Sequence, residues 1–319
     1  MDTATVADRS KLRTGISVFF FISGFGYSSW ASRIPSLQQQ LHLNEAELGG
    51  VLFALPIGLM LTMPVTSKLL RHFSSRTIML GGLMAFTLLL CLPGFTAYMW
   101  ELILVLFFIG SARNVIAITV NAQAVGVQAM YDKSIMVTFH GIWSLAGFAG
   151  AAVGYIMVSF NILPTYHLIG VSAVLFILTL WFYPSTLAQA PYGQSSTTLF
   201  SFPDKDLLKF ALIAFGCMAC ENTMYDWCSV YFQKALHAHK ATATASFAVY
   251  MFFMTLGRFT GDKMVAATSI KKVLNFSGIF IFLGFLLAVL LPYIYTAFIG
   301  YAMIGLGISC VVPLVFSMA

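Results

Sequence analysis

The chain has 319 residues, 59% of them hydrophobic and only 9% charged, with a mean hydropathy of +0.88. That balance excludes an ordinary water-soluble domain, and its long apolar runs fit tilted helices across a ~30 Å hydrocarbon core, not the short alternating segments of a membrane β-barrel. The net charge of +6 would suit a polyanion, but the bases fall on alternate connections, as membrane orientation requires, so no nucleic-acid partner follows from it.

The sequence predicts ten membrane-spanning helices, near residues 15–34, 46–66, 77–98, 101–124, 135–158, 164–184, 207–233, 242–261, 272–291 and 295–317. The first is preceded by Arg9, Lys11 and Arg13 and runs into a polar Trp30-Ala31-Ser32-Arg33 segment without a small-residue cleavage site, so it stays in the protein. Tyr27 and Trp30, three apart, offer rings that can stack on a flat solute, although such aromatics also serve as core or interface residues. Arg33 falls at the edge of this span, where a long side chain snorkels easily and can also gate. Asn44-x-x-Glu47 has the form of a capping box that starts the second span, and Pro56 bends it.

In the fourth span Arg113 is a cation at membrane depth, which needs an acid, a solute or water. Arg113, Ala117 and Asn121 recur every four residues, so Arg113 and Asn121 share a polar stripe suited to anchoring an anion or a carboxylate-bearing solute. The fifth span carries His140 and Trp143, again three apart, followed by a small-residue face from Gly147 to Gly154 for close helix approach. After the sixth span comes the longest polar connection, residues 187–206, read as a linker; within it Ser201-x-x-Asp204 resembles a second capping box.

The seventh span holds the most informative pair, Glu221 and Asp226. Ionised groups at this depth are costly and mark proton relays or solute contacts. Five residues subtend ~140° of helix, so the two acids face one cavity together only if the segment is locally unwound. Cys217 and Cys220 have metal-ligand spacing but no nearby histidine, and all five cysteines lie in spans, so neither a metal nor a disulfide is assigned. Pro313 bends the last span.

The two parts of the chain echo each other. Trp30-Ala31-Ser32 resembles Trp227-Cys228-Ser229 at an offset of 197 residues, and the basic loop after span 2 corresponds to the one after span 8 at an offset of 194. Agreement of the offsets predicts a duplicated six-helix unit: residues 1–186 as one bundle, 187–206 as a cytoplasmic linker, and 207–319 as a second bundle with four helices, its last two missing from this chain. The bases at the N-terminus and in the 68–76, 133, 205–209 and 263–272 segments, set against Lys234 and Lys240, place both termini in the cytoplasm.

The motifs Trp30-Ala31-Ser32-Arg33-Ile34-Pro35, Asn121-Ala122-Gln123, Phe139-His140-Gly141-Ile142-Trp143-Ser144, Glu221 with Asp226-Trp227, and Gly257-Arg258-Phe259-Thr260-Gly261-Asp262 together resemble the major facilitator superfamily, and within it the YbjJ-type inner-membrane proteins near the fucose permeases. The resemblance implies two pseudo-symmetric bundles that work by alternating access around a central cavity, with ion-coupled movement of a small solute across a bacterial inner membrane. On that footing Arg71 and Arg76 in the first basic loop, Arg258 and Asp262 in the second, and Arg33 are expected to gate.

The combined expectation is an all-α membrane transporter of a small polar solute, with sugar-like solutes favoured through the resemblance, coupled to protons, acting as a monomer in the bilayer without a cofactor. Glu221 or Asp226 would carry the proton, Arg113 and Asn121 would hold the solute with His140, and Tyr27, Trp30, Trp143 and Trp227 would shape the cavity. Export of drugs or amphiphiles and an inactive shortened remnant are the alternatives. A membrane enzyme is set aside because the sequence has neither a zinc-protease histidine spacing nor a serine nucleophile elbow.

Overall fold

The computed structural model describes residues 6–131, 135–188 and 205–318. They form α1 (Val6–Ala31), α2 (Ile34–Gln40), α3 (Glu45–His72), α4 (Ser75–Leu89), α5 (Met99–Gln128), α6 (Met136–Ser159), α7 (Pro164–Phe182), α8 (Lys205–Lys234), α9 (Lys240–Ala267), α10 (Ile270–Leu290), α11 (Ile294–Ser309) and α12 (Val311–Met318). Each expected span overlaps a helix, although the one placed at 77–98 leaves the α-helix at Leu89 and passes through a 3-10 turn at Leu92–Phe95. By length and composition seven of them can cross a membrane: α3 to α7, α10, and α11 continuing into α12. The other long helices, α1, α8 and α9, each carry several charged residues, from Asp8 to Arg13 in α1, Glu221 and Asp226 among those of α8, and Arg258 to Lys263 in α9.

Local chemistry explains the helix ends. The Asn44 side chain accepts from the Glu47 amide while the Glu47 carboxylate accepts from the Asn44 amide, at 2.9 and 2.8 Å, so the expected capping box starts α3. The Ser201–Asp204 box lies outside the described residues. The last apolar run is two helices instead of one bent helix. Pro313 has no N–H to donate to the Ser309 carbonyl, and the chain breaks at Cys310.

The helices divide into two compact units. The first comprises residues 1–150 and 161–195. Its α3 and α5 meet at glycines: a Cβ on Gly58 would strike the Phe107 carbonyl and one on Gly110 the Leu55 carbonyl, so backbone packs on backbone. Asn114 Nδ2 donates to Thr66 Oγ1 at 3.0 Å across the same seam. Ser172 of α7 donates to the Thr87 carbonyl of α4 at 2.6 Å. At the far end of α7, Gln123 of α5 is fully buried and clasps Leu187: its Oε1 accepts from the Leu187 amide at 2.9 Å, and its Nε2 donates to the Leu187 carbonyl at 2.9 Å and to Ser75 Oγ at 2.8 Å.

The second unit comprises residues 151–160 and 196–319. Gly284 and Gly300 let α10 and α11 touch, a Cβ on the first coming within 2.6 Å of the Gly300 carbonyl. Tyr231 of α8 donates to the Ala288 carbonyl at 2.6 Å. The α8 helix runs unbroken past Glu221 and Asp226, so the local unwinding considered for that segment is absent.

Candidate functional site

In the first unit one face of α1 gathers several of the polar and aromatic candidates. Phe20, Gly24 and Tyr27 stand four and three residues apart and therefore point the same way. Phe20 meets His140 edge-on at 5.3 Å between ring centroids, Gly24 lies against the Trp143 backbone, where a Cβ would strike its carbonyl, and Tyr27 takes the Arg113 guanidinium over its ring at 3.5 Å. His140 is exposed, and Trp143 and Arg113 are half-buried.

The Arg113–Tyr27 stack changes the reading of both residues. The Tyr27 ring, expected to be open to a solute, is buried and its face is taken by the cation. A guanidinium over an aromatic face keeps its N–H groups in its own plane and free to donate sideways. Asn121, two turns along α5, is half-buried and donates its Nδ2 to the Ala117 carbonyl at 2.8 Å, which leaves its side-chain oxygen as an acceptor. Trp30 is buried and is a packing residue here, not an open stacking surface.

Arg33 departs most from expectation. It does not snorkel: it is 2% exposed, and its Nε donates to Nδ1 of His167 at 2.9 Å. Because arginine can only donate, that bond fixes His167 as the tautomer protonated on Nε2. Sequence reading passed over His167, and no local pattern links it to a residue in another helix. At the opposite end of the unit Arg76 lies over the Tyr183 ring at 4.6 Å, while Arg71 is exposed.

In the second unit α8 and α9 run antiparallel and match residue to residue. Glu221 Oε1 sits 3.7 Å from Arg258 Nη2, with side-chain exposures of 14% and 15%. One turn along α8, Tyr225 meets Tyr250 at 6.1 Å and Phe247 at 5.3 Å between ring centroids, and Tyr250 is fully buried. An acid and an arginine therefore stand at one end of an aromatic wall. Arg258, expected only as a gate, is the partner of the principal acid. The Tyr225–Tyr250–Phe247 cluster was not foreseen; single aromatics in an aromatic-rich chain carry no pairing signal.

Asp226 and Trp227, on another face of α8, are half-buried, and the Asp262 side chain lies outside the described residues. Cys217 is buried with its Sγ 3.9 Å from the Ile308 carbonyl, a packing position. Among the described residues no group of three or more His, Cys, Asp or Glu side chains is placed to hold a metal.

Comparison with known proteins adds three findings. The family pattern of the Major Facilitator Superfamily matches residues 16–319. An uncharacterised MFS-type transporter of Yersinia pestis is 30% identical over 302 residues, which is 94% of this chain and 78% of that protein. Among solved structures, a point mutant of the nucleoside transporter NupG superposes with a TM-score of 0.75 at 15% identity over 96% of this chain and 82% of that one. The MFS transporter FucP in its outward conformation gives 0.61 at 16% identity over 96% and 83%. At these identities the structural matches show a shared fold.

Proposed function

Since this chain belongs to the Major Facilitator Superfamily, a family of membrane transporters and not of enzymes, we propose that it is a secondary transporter that moves a small polar solute by alternating access and draws on protons to do so. The observation that carries the proton role is the Glu221–Arg258 pair at 3.7 Å, neither buried beyond reach of water nor fully solvated. Two unit charges at this separation attract by several kcal/mol at an effective dielectric of ~20, less where water intrudes. Protonating Glu221 removes that attraction and releases Arg258, so the packing of α8 against α9 has a different free energy in the protonated and ionised states. Asp226, five residues on in the same helix, is the alternative proton carrier.

Arg113 and Asn121 hold the solute in this reading, with His140 and Trp143 on α6, and Trp227 of α8 is a further aromatic contact. The nucleoside transporter NupG shares this fold, and a hydroxylated, sugar-like solute accords with a stripe that offers both donors and an acceptor. Arg33, Arg71, Arg76, Arg258 and Asp262 act at the gates, and both termini face the cytoplasm from a bacterial inner membrane, an orientation that the distribution of bases supports. The protein works as a monomer.

The test is reconstitution of the chain in liposomes with a pH-sensitive dye inside. Adding a transported solute outside acidifies the lumen, and Glu221→Gln abolishes the acidification while solute exchange continues. Unchanged proton movement in both Glu221→Gln and Asp226→Asn defeats the proposed coupling.

A further inference from the structure

We infer that the solute carries an anionic oxygen group, a carboxylate or a phosphate, and that the in-plane edge of the Arg113 guanidinium is its seat. The inference rests on the reading of Arg113 as a solute contact and names the chemistry that contact selects.

Three observations lead to it. The guanidinium face is spent on Tyr27 at 3.5 Å, so the side chain is held in one orientation by a contact that uses none of its N–H donors. Those donors make no hydrogen bond and no ion pair with any described residue, and the side chain is half-buried, which leaves part of it accessible. Finally, the first unit has no described acid near it. Asp8, Glu45, Glu47 and Glu101 all sit in the first turns of α1, α3 and α5, and Glu101, on the same helix, is ~18 Å away along the axis. A cation at this depth whose charge no neighbouring side chain balances is an anion site in waiting.

A planar fork held by an aromatic ring matches the paired oxygens of a carboxylate or a phosphate, and a neutral hydroxyl uses only one of its donors. Asn121, ~12 Å further along α5, presents its side-chain oxygen to a hydroxyl at the other end of such a molecule. The charge also suits the coupling. A monoanion moved together with one proton transfers no net charge, so the membrane potential does not oppose its entry.

The probes are glucose, glucuronate and glucose 6-phosphate, one scaffold that is neutral, carboxylated or phosphorylated, with acetate and inorganic phosphate as minimal anions, all at constant ionic strength. Thermal unfolding of the purified full chain is followed with each. At saturation a carboxylate or a phosphate raises the midpoint by about 5 °C more than glucose does; which of the two does so identifies the group. Arg113→Gln abolishes the difference, and Arg113→Lys, which keeps the charge but not the fork, retains less than half of it. Equal shifts with glucose and the acids, a shift that survives Arg113→Gln, or no shift with any of the anions overturns the inference. None of these results bears on proton movement in liposomes, whose absence from the unsubstituted chain would instead defeat the transport reading.

Discussion

Gln123→Ala removes the clasp at the end of the first unit. The Gln123 amide hydrogen-bonds at 2.8–2.9 Å to the Leu187 backbone, through both its oxygen and its nitrogen, and to Ser75, from a fully buried position. At a net ~0.5–1.5 kcal/mol each, reduced because Leu187 is half-exposed and water can replace part of what is lost, the substitution costs about 2–3 kcal/mol. For a unit of this size that lowers the unfolding midpoint by about 4–10 °C, read by tryptophan fluorescence during heating in detergent. Gln123→Glu separates hydrogen bonding from packing: it conserves shape and the acceptor for the Leu187 amide but loses both donors and buries a carboxylate, so it is at least as damaging. A Gln123→Glu protein that melts within 1 °C of the parent refutes the reasoning, because the bonds would then contribute nothing.

The Arg33–His167 pair predicts an asymmetry. His167→Leu leaves a buried guanidinium without its acceptor and costs about 3–5 kcal/mol, whereas Arg33→Met removes the charge, leaves only the neutral His167 Nδ1 unpaired and costs about 1–3 kcal/mol; a loss from Arg33→Met larger than that from His167→Leu in thermal unfolding would contradict this. Gly58→Val drives a side chain into the Phe107 carbonyl of α5 and costs about 1–3 kcal/mol, seen as a lower melting point and lower folded yield. Tyr231→Phe removes the bond to the Ala288 carbonyl and costs about 1 kcal/mol in the same assay.

The contrast between these residues shows how far the sequence reached. Asn44 and Glu47 are three apart, and their reciprocal capping bonds could be read directly because both partners lie within one turn. Apolar run length, set by bilayer thickness, marked out the helices in the same local way. Arg113 was identifiable as significant because a cation at membrane depth is costly wherever its neighbours are, but the nature of its contact, the Tyr27 ring on α1, depends on which helix packs against α5. Gln123 with Leu187, Arg33 with His167 and Glu221 with Arg258 are pairings between distant segments. Nothing in a single sequence says which polar residue meets which across helices; only the packing does. Snorkelling was expected of Arg33 because a span edge usually offers water, and a histidine from α7 supplied a buried acceptor instead.

In the proposed coupling, protons drive the solute through the Glu221–Arg258 pair. Simultaneous recording of lumenal pH and labelled-solute uptake in liposomes, for the chain and for Glu221→Gln, tests it most directly. Proton coupling through this pair gives acidification in step with uptake for the parent, and for the variant exchange without acidification and without accumulation against a gradient. Accumulation driven by a pH gradient in the variant at the parent's level would contradict it.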